Sequence, residues 1–223
     1  KTLGFKGYPE LQETVRETLL KSFSPHPGPD IPFNTNSPES NMLGAVYAHE
    51  SNNLRKSYEH IDPLALKHTA LSLSKAKRVL FFGRRMSYPI ALHLSMTLRL
   101  MRAGVRLAPD AGETTIDNLF DLTDEDYVLI VTLKRYSPEI MRVIQFVEKA
   151  KIPLTLLTDI SPFGDGSPTT RMLRAYVSSP SIFDSYTALI SIGHTLLTMV
   201  RQLLPHADER LEKVEKAFLE FYK

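Results

Sequence analysis

Short, wholly apolar segments alternate with longer helical segments from about residue 78 onward. Strands that are apolar on both faces must be covered on both faces, as in a parallel sheet with helices on each side. The pattern predicts an α/β fold: a three-layer α-β-α, doubly wound, mostly parallel sheet of about five strands, preceded by helices. The predicted strands are residues 79–82, 127–133, 154–157 and 175–177, and the predicted helices among and after them are 87–103, 137–151, 185–204 and 208–222.

A breaker-rich stretch interrupts the chain before this pattern begins. Residues 9–22 have helical periodicity, but residues 23–38 hold Pro, Gly and Asn at a density that no helix or central strand accepts. We interpret residues 23–39 as a linker and residues 40–223 as one domain. The domain begins with two helices, one over residues 40–58 and one that starts at Asp62-Pro63. The chain opens at Lys1 without an initiator Met, so we expect that its true N-terminus has been cut or processed away.

The charge balance and the lack of cysteine exclude several classes of function. Lys and Arg number 27 and Asp and Glu number 25, so any anion site must be local rather than spread over the whole chain. The chain has no cysteine, which excludes disulfides, thiol catalysis and cysteine metal sites. A lack of cysteine is compatible with the reducing environment of the cytosol. The apolar runs are far shorter than the roughly 20 residues of a membrane helix. We expect a cytoplasmic protein with no membrane partner.

The histidines do not predict a metal site. None of the seven forms an HExxH or HxxxH pair, so we expect no metal and no cofactor. His49-Glu50 fits an acid/base pair, or simply an exposed helical face. The glycine-rich segment 164–167 lacks the spacing of a phosphate-binding loop and is interpreted as a turn.

Two strand-to-helix junctions combine cationic side chains, a hydroxyl and a helix start. Ligands of open parallel sheets bind at the carboxyl ends of strands, where helix N-termini present N–H groups and partial positive charge. A phosphate or carboxylate needs those donors and that charge. The candidate ligand-binding residues are Gly83, Arg84, Arg85 and Ser87 at the first junction, and Thr132, Lys134, Arg135, Tyr136, Ser137 and Glu139 at the second.

Structural roles explain the same residues equally well. Ser87 and Ser137 each precede a proline closely and fit helix N-caps, while the side chains of Arg84 and Arg85 fit a solvated surface. Two further positions are possible ligand residues. Asp159 follows a strand, where it could meet a ligand hydroxyl or shape its own loop, and Ser185 could bind a ligand or cap the helix that follows it.

Three segments of the chain resemble a known family. Phe82-Gly83 to Ser87 is similar to the first phosphate loop, GxGxS, of the sugar isomerase (SIS) domain. Residues 130–139 lie where that domain has its second loop, SxSGxTxE. Residues 4–11 look like the turn and following helix at the end of a helix-turn-helix domain. Residues 64–222 thus resemble a SIS domain, and the whole chain resembles RpiR-type bacterial transcriptional regulators.

The resemblance implies a cytoplasmic DNA-binding regulator without catalytic residues. Its SIS domain would bind a phosphosugar or related anionic carbohydrate metabolite as effector and control carbohydrate-metabolism genes. Residues 1–22 would be the C-terminal remnant of the helix-turn-helix that contacts operator DNA, and the protein would form a homodimer or homotetramer. The apolar stripe of the last helix, Leu211, Val214, Phe218 and Phe221, suits packing on the domain or on a second subunit.

The resemblance also assigns roles at the two loops. Gly83 would allow close backbone approach and Ser87 would supply a phosphate hydroxyl. Thr132 would replace the first Ser of the second loop, Ser137 its Thr, and Glu139 its Glu. Lys134 and Arg135 depart from the family's second Ser and its Gly, which removes a permissive backbone position but adds two cations.

Two other functions compete with the effector sensor. One is a phosphosugar aldose-ketose isomerase of the same fold, which needs a carboxylate or imidazole to move a proton between adjacent carbons. The available groups for that role are Glu50, Glu113, His68 and His194. The other is a dimerisation module whose pocket is filled by Arg135.

Overall fold

The computed structural model describes residues 37–109, 112–133, 137–159 and 170–222. Within those ranges helices and strands alternate after two leading helices. The helices are α1 (Pro38–His60), α2 (Pro63–Lys75), α3 (Tyr88–Met101), α4 (Pro138–Lys149), α5 (Thr187–Leu203) and α6 (Ala207–Phe221), with short 3₁₀ turns at Arg85–Ser87 and Ile116–Asn118. The strands are β1 (Val79–Gly83), β2 (Val105–Ala108), β3 (Tyr127–Val131), β4 (Leu154–Asp159) and β5 (Thr170–Ala175).

All five strands are parallel and lie in the order β2-β1-β3-β4-β5. The three central strands are buried along their whole length, whereas the edge strands β2 and β5 are only partly buried. Gly83 at the end of β1 pairs in register with Val131 at the end of β3. The predicted α/β fold with about five parallel strands is confirmed.

The two edge strands are where the prediction from the sequence is wrong. The apolar pattern does not predict strand β2, and it predicts the last strand at residues 175–177 although that strand spans Thr170–Ala175. Both edge strands carry arginines whose side chains are half-buried: Arg106 in β2, and Arg171 and Arg174 in β5. Such strands lack the continuous apolar character of a strand that is covered on both faces.

Helices cover both faces of the sheet unequally. On one face, α2, α3 and α5 pack on apolar side chains such as Phe81 and Leu129. On the other face, α4 packs on side chains such as Phe82 and Ile130. Alternate residues of each strand therefore enter different cores, which makes the three layers. No helix in the described ranges combines the length and the apolar character needed to cross a membrane.

The helix starts only partly follow the predicted caps. Asp62 caps α2 by accepting a hydrogen bond from the Leu64 N–H at 2.8 Å, and Ser137 caps α4 by accepting one from the Ile140 N–H at 3.2 Å. Ser87 precedes α3, but its side chain makes no capping hydrogen bond. Its backbone is already helical (φ −81°, ψ −20°), whereas a capping serine needs an extended backbone. The expected capping role of the Ser87 side chain is therefore wrong.

An ion-pair network ties the amino ends of β1 and β3 together. The Arg78 guanidinium donates to both carboxylate oxygens of Asp126, at 2.9 and 2.7 Å, and to Asp121 Oδ2 at 2.6 Å. Hydrogen bonds from Arg78, and a further one from the Thr123 N–H, lower the pKa of the buried Asp126 carboxyl from its ordinary 3.8 to about 2. The carboxylate is thus stabilised in the folded state.

We expect Asp126→Asn to lower the free energy of unfolding at pH 7 by about 2 kcal/mol, because the lowered pKa of Asp126 is lost with its charge. The stabilisation is present above pH ~4 and disappears as the pH falls through ~2, so wild type and variant should converge in acid. Urea denaturation at several pH values measures this. The exposed Asp124→Asn is the control, and equal stability of Asp126→Asn and wild type at pH 7 would contradict the account.

Gly83 allows a close turn between β1 and α3. A Cβ at this position would lie 2.8 Å from the Ser87 carbonyl oxygen and 3.0 Å from Ala91 Cβ. The first of these atoms is backbone and the second belongs to the buried residue Ala91 of α3, so neither can move aside easily. The absence of a side chain at Gly83 therefore determines how near the first loop comes to α3.

We expect Gly83→Ala to destabilise the fold by about 1–3 kcal/mol, the usual cost of overpacking a tight site. Thermal or urea unfolding measures the effect. Gly44→Ala is the matched control: Gly44 lies within α1, and a Cβ there would meet nothing within 4 Å, so Ala should be neutral or stabilising by up to about 1 kcal/mol. Equal effects of the two substitutions would show that the turn does not require glycine.

Candidate functional site

A cleft of about 370 Å³ lies at the carboxyl ends of β1 and β3. An adjoining cleft of about 460 Å³ shares Arg84, Arg85 and Ser137 with it and reaches Gly83 and Glu139. Cavities of this size accommodate small-molecule ligands. The first cleft is lined by Arg84 to Ser87, by Thr132 and Leu133, by Ser137 and Ile140, and by Ile182, Phe183, Asp184 and Tyr186. The structure thus brings the two predicted junctions together.

The first loop presents two arginines to the clefts. Arg84 is extended and the next residue, Arg85, has a left-handed backbone with φ 54°. That conformation costs a non-glycine residue roughly 1–2 kcal/mol, so the surrounding loop must hold it in place. The sharp turn leads directly into the 3₁₀ turn and then α3, and it leaves Ser87 buried beside the cleft.

Thr132 is the polar group of the cleft that most needs a partner. It is fully buried just after β3, and among the described residues its Oγ1 atom has no hydrogen-bond partner. Leaving such a hydroxyl unpaired costs about 1–3 kcal/mol. A polar group that came within hydrogen-bond distance of Oγ1 would relieve that cost.

The second junction adds the N-terminus of α4. Ser137 lines both clefts while it caps the helix, so its hydroxyl and the first N–H groups of α4 lie at the same edge. The partial positive charge of a helix N-terminus favours anions. Lys134, Arg135 and Tyr136, the other candidates of this loop, lie outside the described residues, and their role as ligands stays a prediction.

Glu139 is engaged by the protein itself. Its carboxylate pairs with Arg84 Nη2 at 2.5 Å and accepts a hydrogen bond from the Thr115 hydroxyl. The ion pair joins the first loop to the start of α4 and neutralises a cation that faces the clefts. Thr115 has no signal in the sequence, because it belongs to an irregular segment after the unpredicted strand β2.

The two possible ligand residues, Asp159 and Ser185, are not among the residues that line the clefts. Asp159 is buried at the end of β4, where the Thr158 hydroxyl donates to its carboxylate at 3.3 Å. Ser185 lies between Asp184 and Tyr186, which do line the cleft, but its own hydroxyl donates to Glu50 Oε2 at 2.7 Å. Contact of either residue with a ligand remains a prediction.

Polar side chains of α1 bind the segment of the chain that leads to the lining residues 182–184 and 186. Asn53 Nδ2 donates to the Ser178 carbonyl oxygen at 2.6 Å, and Asn53 Oδ1 accepts from the Ser178 N–H at 3.2 Å. The Ser57 hydroxyl accepts from the Tyr176 N–H at 2.8 Å. Asn53 and Ser57 are buried, so these bonds are shielded from water. Local sequence patterns do not reveal these contacts, because the partners are more than 100 residues apart.

The acid/base candidates are spread over the molecule. His68 on α2 and Glu113 are exposed, and Glu50 is bound to Ser185. His194 on α5 meets His93 on α3, and neither histidine lines the two clefts. Over the described ranges, no group of three or more His, Asp or Glu side chains is arranged to hold a metal ion.

Comparisons with known proteins agree with this architecture. A model of the SIS domain family matches residues 72–199. The sugar isomerase domain of an RpiR transcription factor from Sphaerobacter thermophilus is 20% identical, with a TM-score of 0.72 over 79% of this chain and 99% of that chain. The Vibrio vulnificus NanR protein complexed with ManNAc-6P is 15% identical, with a TM-score of 0.71 over 98% of this chain and 77% of that chain.

Enzymes share the fold as well. A phosphoheptose isomerase from Francisella tularensis is 15% identical, with a TM-score of 0.56 over 74% of this chain and 100% of that chain. None of the curated proteins matches the chain. Likenesses at such low identity show the fold alone, whereas the family model covers more than half of the chain. The chain therefore belongs to the SIS domain family.

Proposed function

We propose that this chain is an RpiR-type transcriptional regulator whose SIS domain binds a phosphosugar or related anionic carbohydrate metabolite. The observation that carries the proposal is the buried Thr132 hydroxyl, for which the described ranges offer no hydrogen-bond partner, beside a cleft that Arg84, Ser87 and Ser137 also line. These residues offer hydroxyls, a guanidinium and a helix N-terminus. A phosphate group uses all three kinds of donor.

The Arg84–Glu139 ion pair gives the site a means of selecting anions. An incoming phosphate oxygen would compete with the Glu139 carboxylate for the Arg84 guanidinium, and hydrogen bonds to charged groups contribute about 1.5–3 kcal/mol each. A dianionic phosphate would replace the carboxylate more effectively than a neutral sugar hydroxyl. The cleft would therefore favour phosphorylated sugars over unphosphorylated ones.

The contacts of α1 offer a route from the cleft to the amino-terminal part of the chain. Residues 182–184 and 186 line the cleft. Glu50, Asn53 and Ser57 of α1 bind Ser185, Ser178 and Tyr176 of the same segment. A shift of this segment on ligand binding would therefore also move α1. In our proposal residues 1–22 belong to the helix-turn-helix domain and residues 23–39 link it to α1, so a cytoplasmic effector would alter contact with operator DNA.

Self-association is part of the proposal. Phe218 and Phe221 of α6 are 57% and 82% exposed, although Leu211 and Val214 of the same stripe are half-buried. Large aromatic side chains at the end of a helix lose exposed apolar surface when a second copy covers them. We propose a homodimer or homotetramer that uses this end of α6.

A thermal-shift screen against pairs of phosphorylated and unphosphorylated sugars, and sugar acids, tests the ligand class. We expect one phosphorylated class to raise Tm by several degrees, since ligand at ~100 times its dissociation constant adds roughly 2.7 kcal/mol. The stabilising compound is then incubated with the protein and analysed for conversion. A sensor returns it unchanged, whereas an aldose-ketose product would identify the competing function, a phosphosugar isomerase.

Failure of every anion to raise Tm would contradict the proposed site. It would favour the occluded pocket, in which a side chain of the second loop occupies the anion position. Stabilisation by sugars irrespective of phosphate would contradict the role given to the cations.

We expect Glu139→Gln to strengthen binding of inorganic phosphate several-fold, because the substitution removes the carboxylate that competes for Arg84. Isothermal titration calorimetry in a chloride buffer measures the affinity. The matched control is Glu125→Gln. Glu125 also pairs with a cation, Lys77, but this pair lies at the amino ends of the strands. Weaker phosphate binding by Glu139→Gln would show instead that Glu139 supports the ligand site rather than competing with the ligand.

A further inference from the structure

Two histidines from different helices meet on the surface of the domain. His93 of α3 and His194 of α5 place their Nε2 atoms 2.7 Å apart, with ring centroids 5.0 Å apart and ring planes inclined by 41°. Both side chains are exposed. Neither residue lines the clefts at the ends of β1 and β3, so the proposed ligand site does not account for the pair.

The packing of the two helices fixes this meeting point. Gly193, next to His194, lies against Leu94, next to His93, and a Cβ at Gly193 would be 2.5 Å from Leu94 Cδ2. Both Gly193 and Leu94 are buried, and Leu94 belongs to the apolar core of that layer. The missing side chain therefore lets α3 and α5 approach closely, and this backbone packing brings the two imidazoles within reach of each other.

The pair has the donor chemistry of a transition-metal site. A neutral imidazole nitrogen is a ligand that Zn²⁺, Cu²⁺ and Ni²⁺ accept readily. With metal–nitrogen bonds of about 2.0–2.1 Å, two cis ligands of one ion lie about 2.9–3.4 Å apart. The observed separation is only slightly shorter, and exposed rings can open by that amount through small side-chain rotations.

We propose that His93 and His194 together bind one divalent transition-metal ion through their Nε2 atoms. The ion would link α3 to α5. Its other coordination positions would be open to water or to a ligand from another molecule. Two protein ligands make a labile surface site, unlike the closed four-ligand sites that structural zinc occupies. The expected order of affinity is Cu²⁺ above Ni²⁺, with Mg²⁺ not bound, because hard cations prefer oxygen ligands.

Titration of the chelator-treated, tag-free chain with NiCl₂, followed by calorimetry, tests the proposal. We expect one site in the wild type, and a loss of affinity of about tenfold or more in both His93→Gln and His194→Gln, because chelation by two ligands is lost in each. His68→Gln is the matched control, since His68 is an exposed histidine on the neighbouring helix α2. It should bind Ni²⁺ as the wild type does.

A spectroscopic measurement separates chelation from binding at single histidines. With CuCl₂ at one equivalent, the electron paramagnetic resonance spectrum should show coupling to two nitrogens in the wild type and to fewer in either variant. Saturating Ni²⁺ should also raise Tm in the wild type and in His68→Gln, but not in a double variant that carries both His93→Gln and His194→Gln. Equal Ni²⁺ affinity of the wild type and the two single variants would overturn the proposal and leave the pair as a hydrogen bond between helices.

Discussion

The parallel pairing of β1 with β3 is the interaction on which the candidate site depends. The two strands are distant in sequence but adjacent in the sheet, and Gly83 is paired with Val131 at their carboxyl ends. This register places the first loop beside Thr132 and the start of α4. Because the ends of parallel strands meet at one edge, two loops that each carry cations and hydroxyls become one site. A shift in this register would separate Arg84 from Glu139.

The amino ends and the carboxyl ends of the strands have different roles. At the amino ends of the strands, Arg78 and Asp126 form a hydrogen-bonded ion pair. The lowered pKa of the Asp126 carboxyl shows that this pair stabilises the folded state. At the carboxyl ends, Thr132 Oγ1 has no partner among the described residues, and Arg84 has a partner that an anion could displace. A charge network at the amino ends and, among the described residues, a buried hydroxyl without a partner at the carboxyl ends are what we expect of a stable scaffold that carries a binding site.

The central strands and the two candidate loops could be predicted from the sequence, whereas the edge strands β2 and β5 could not. Strands β1, β3 and β4 are buried on both faces and therefore apolar throughout, which is a clear signal. The arginines of β2 and β5 remove that signal. Long-range contacts have no local signal at all: Asn53 with Ser178, Thr115 with Glu139 and His93 with His194 follow from packing alone.

Mapping the binding of inorganic phosphate by amide chemical shifts tests the central claim most directly. In a deuterated, ¹⁵N-labelled sample, the account predicts that phosphate shifts the amide signals of Ser87 and Tyr88 at the first loop, and those of Glu139 and Ile140 at the start of α4. The amides around Arg78 and Asp126, at the other edge of the sheet, should stay unchanged. Shifts confined to that other edge, or no saturable shift at the two loops, would contradict the claim that these loops form an anion site.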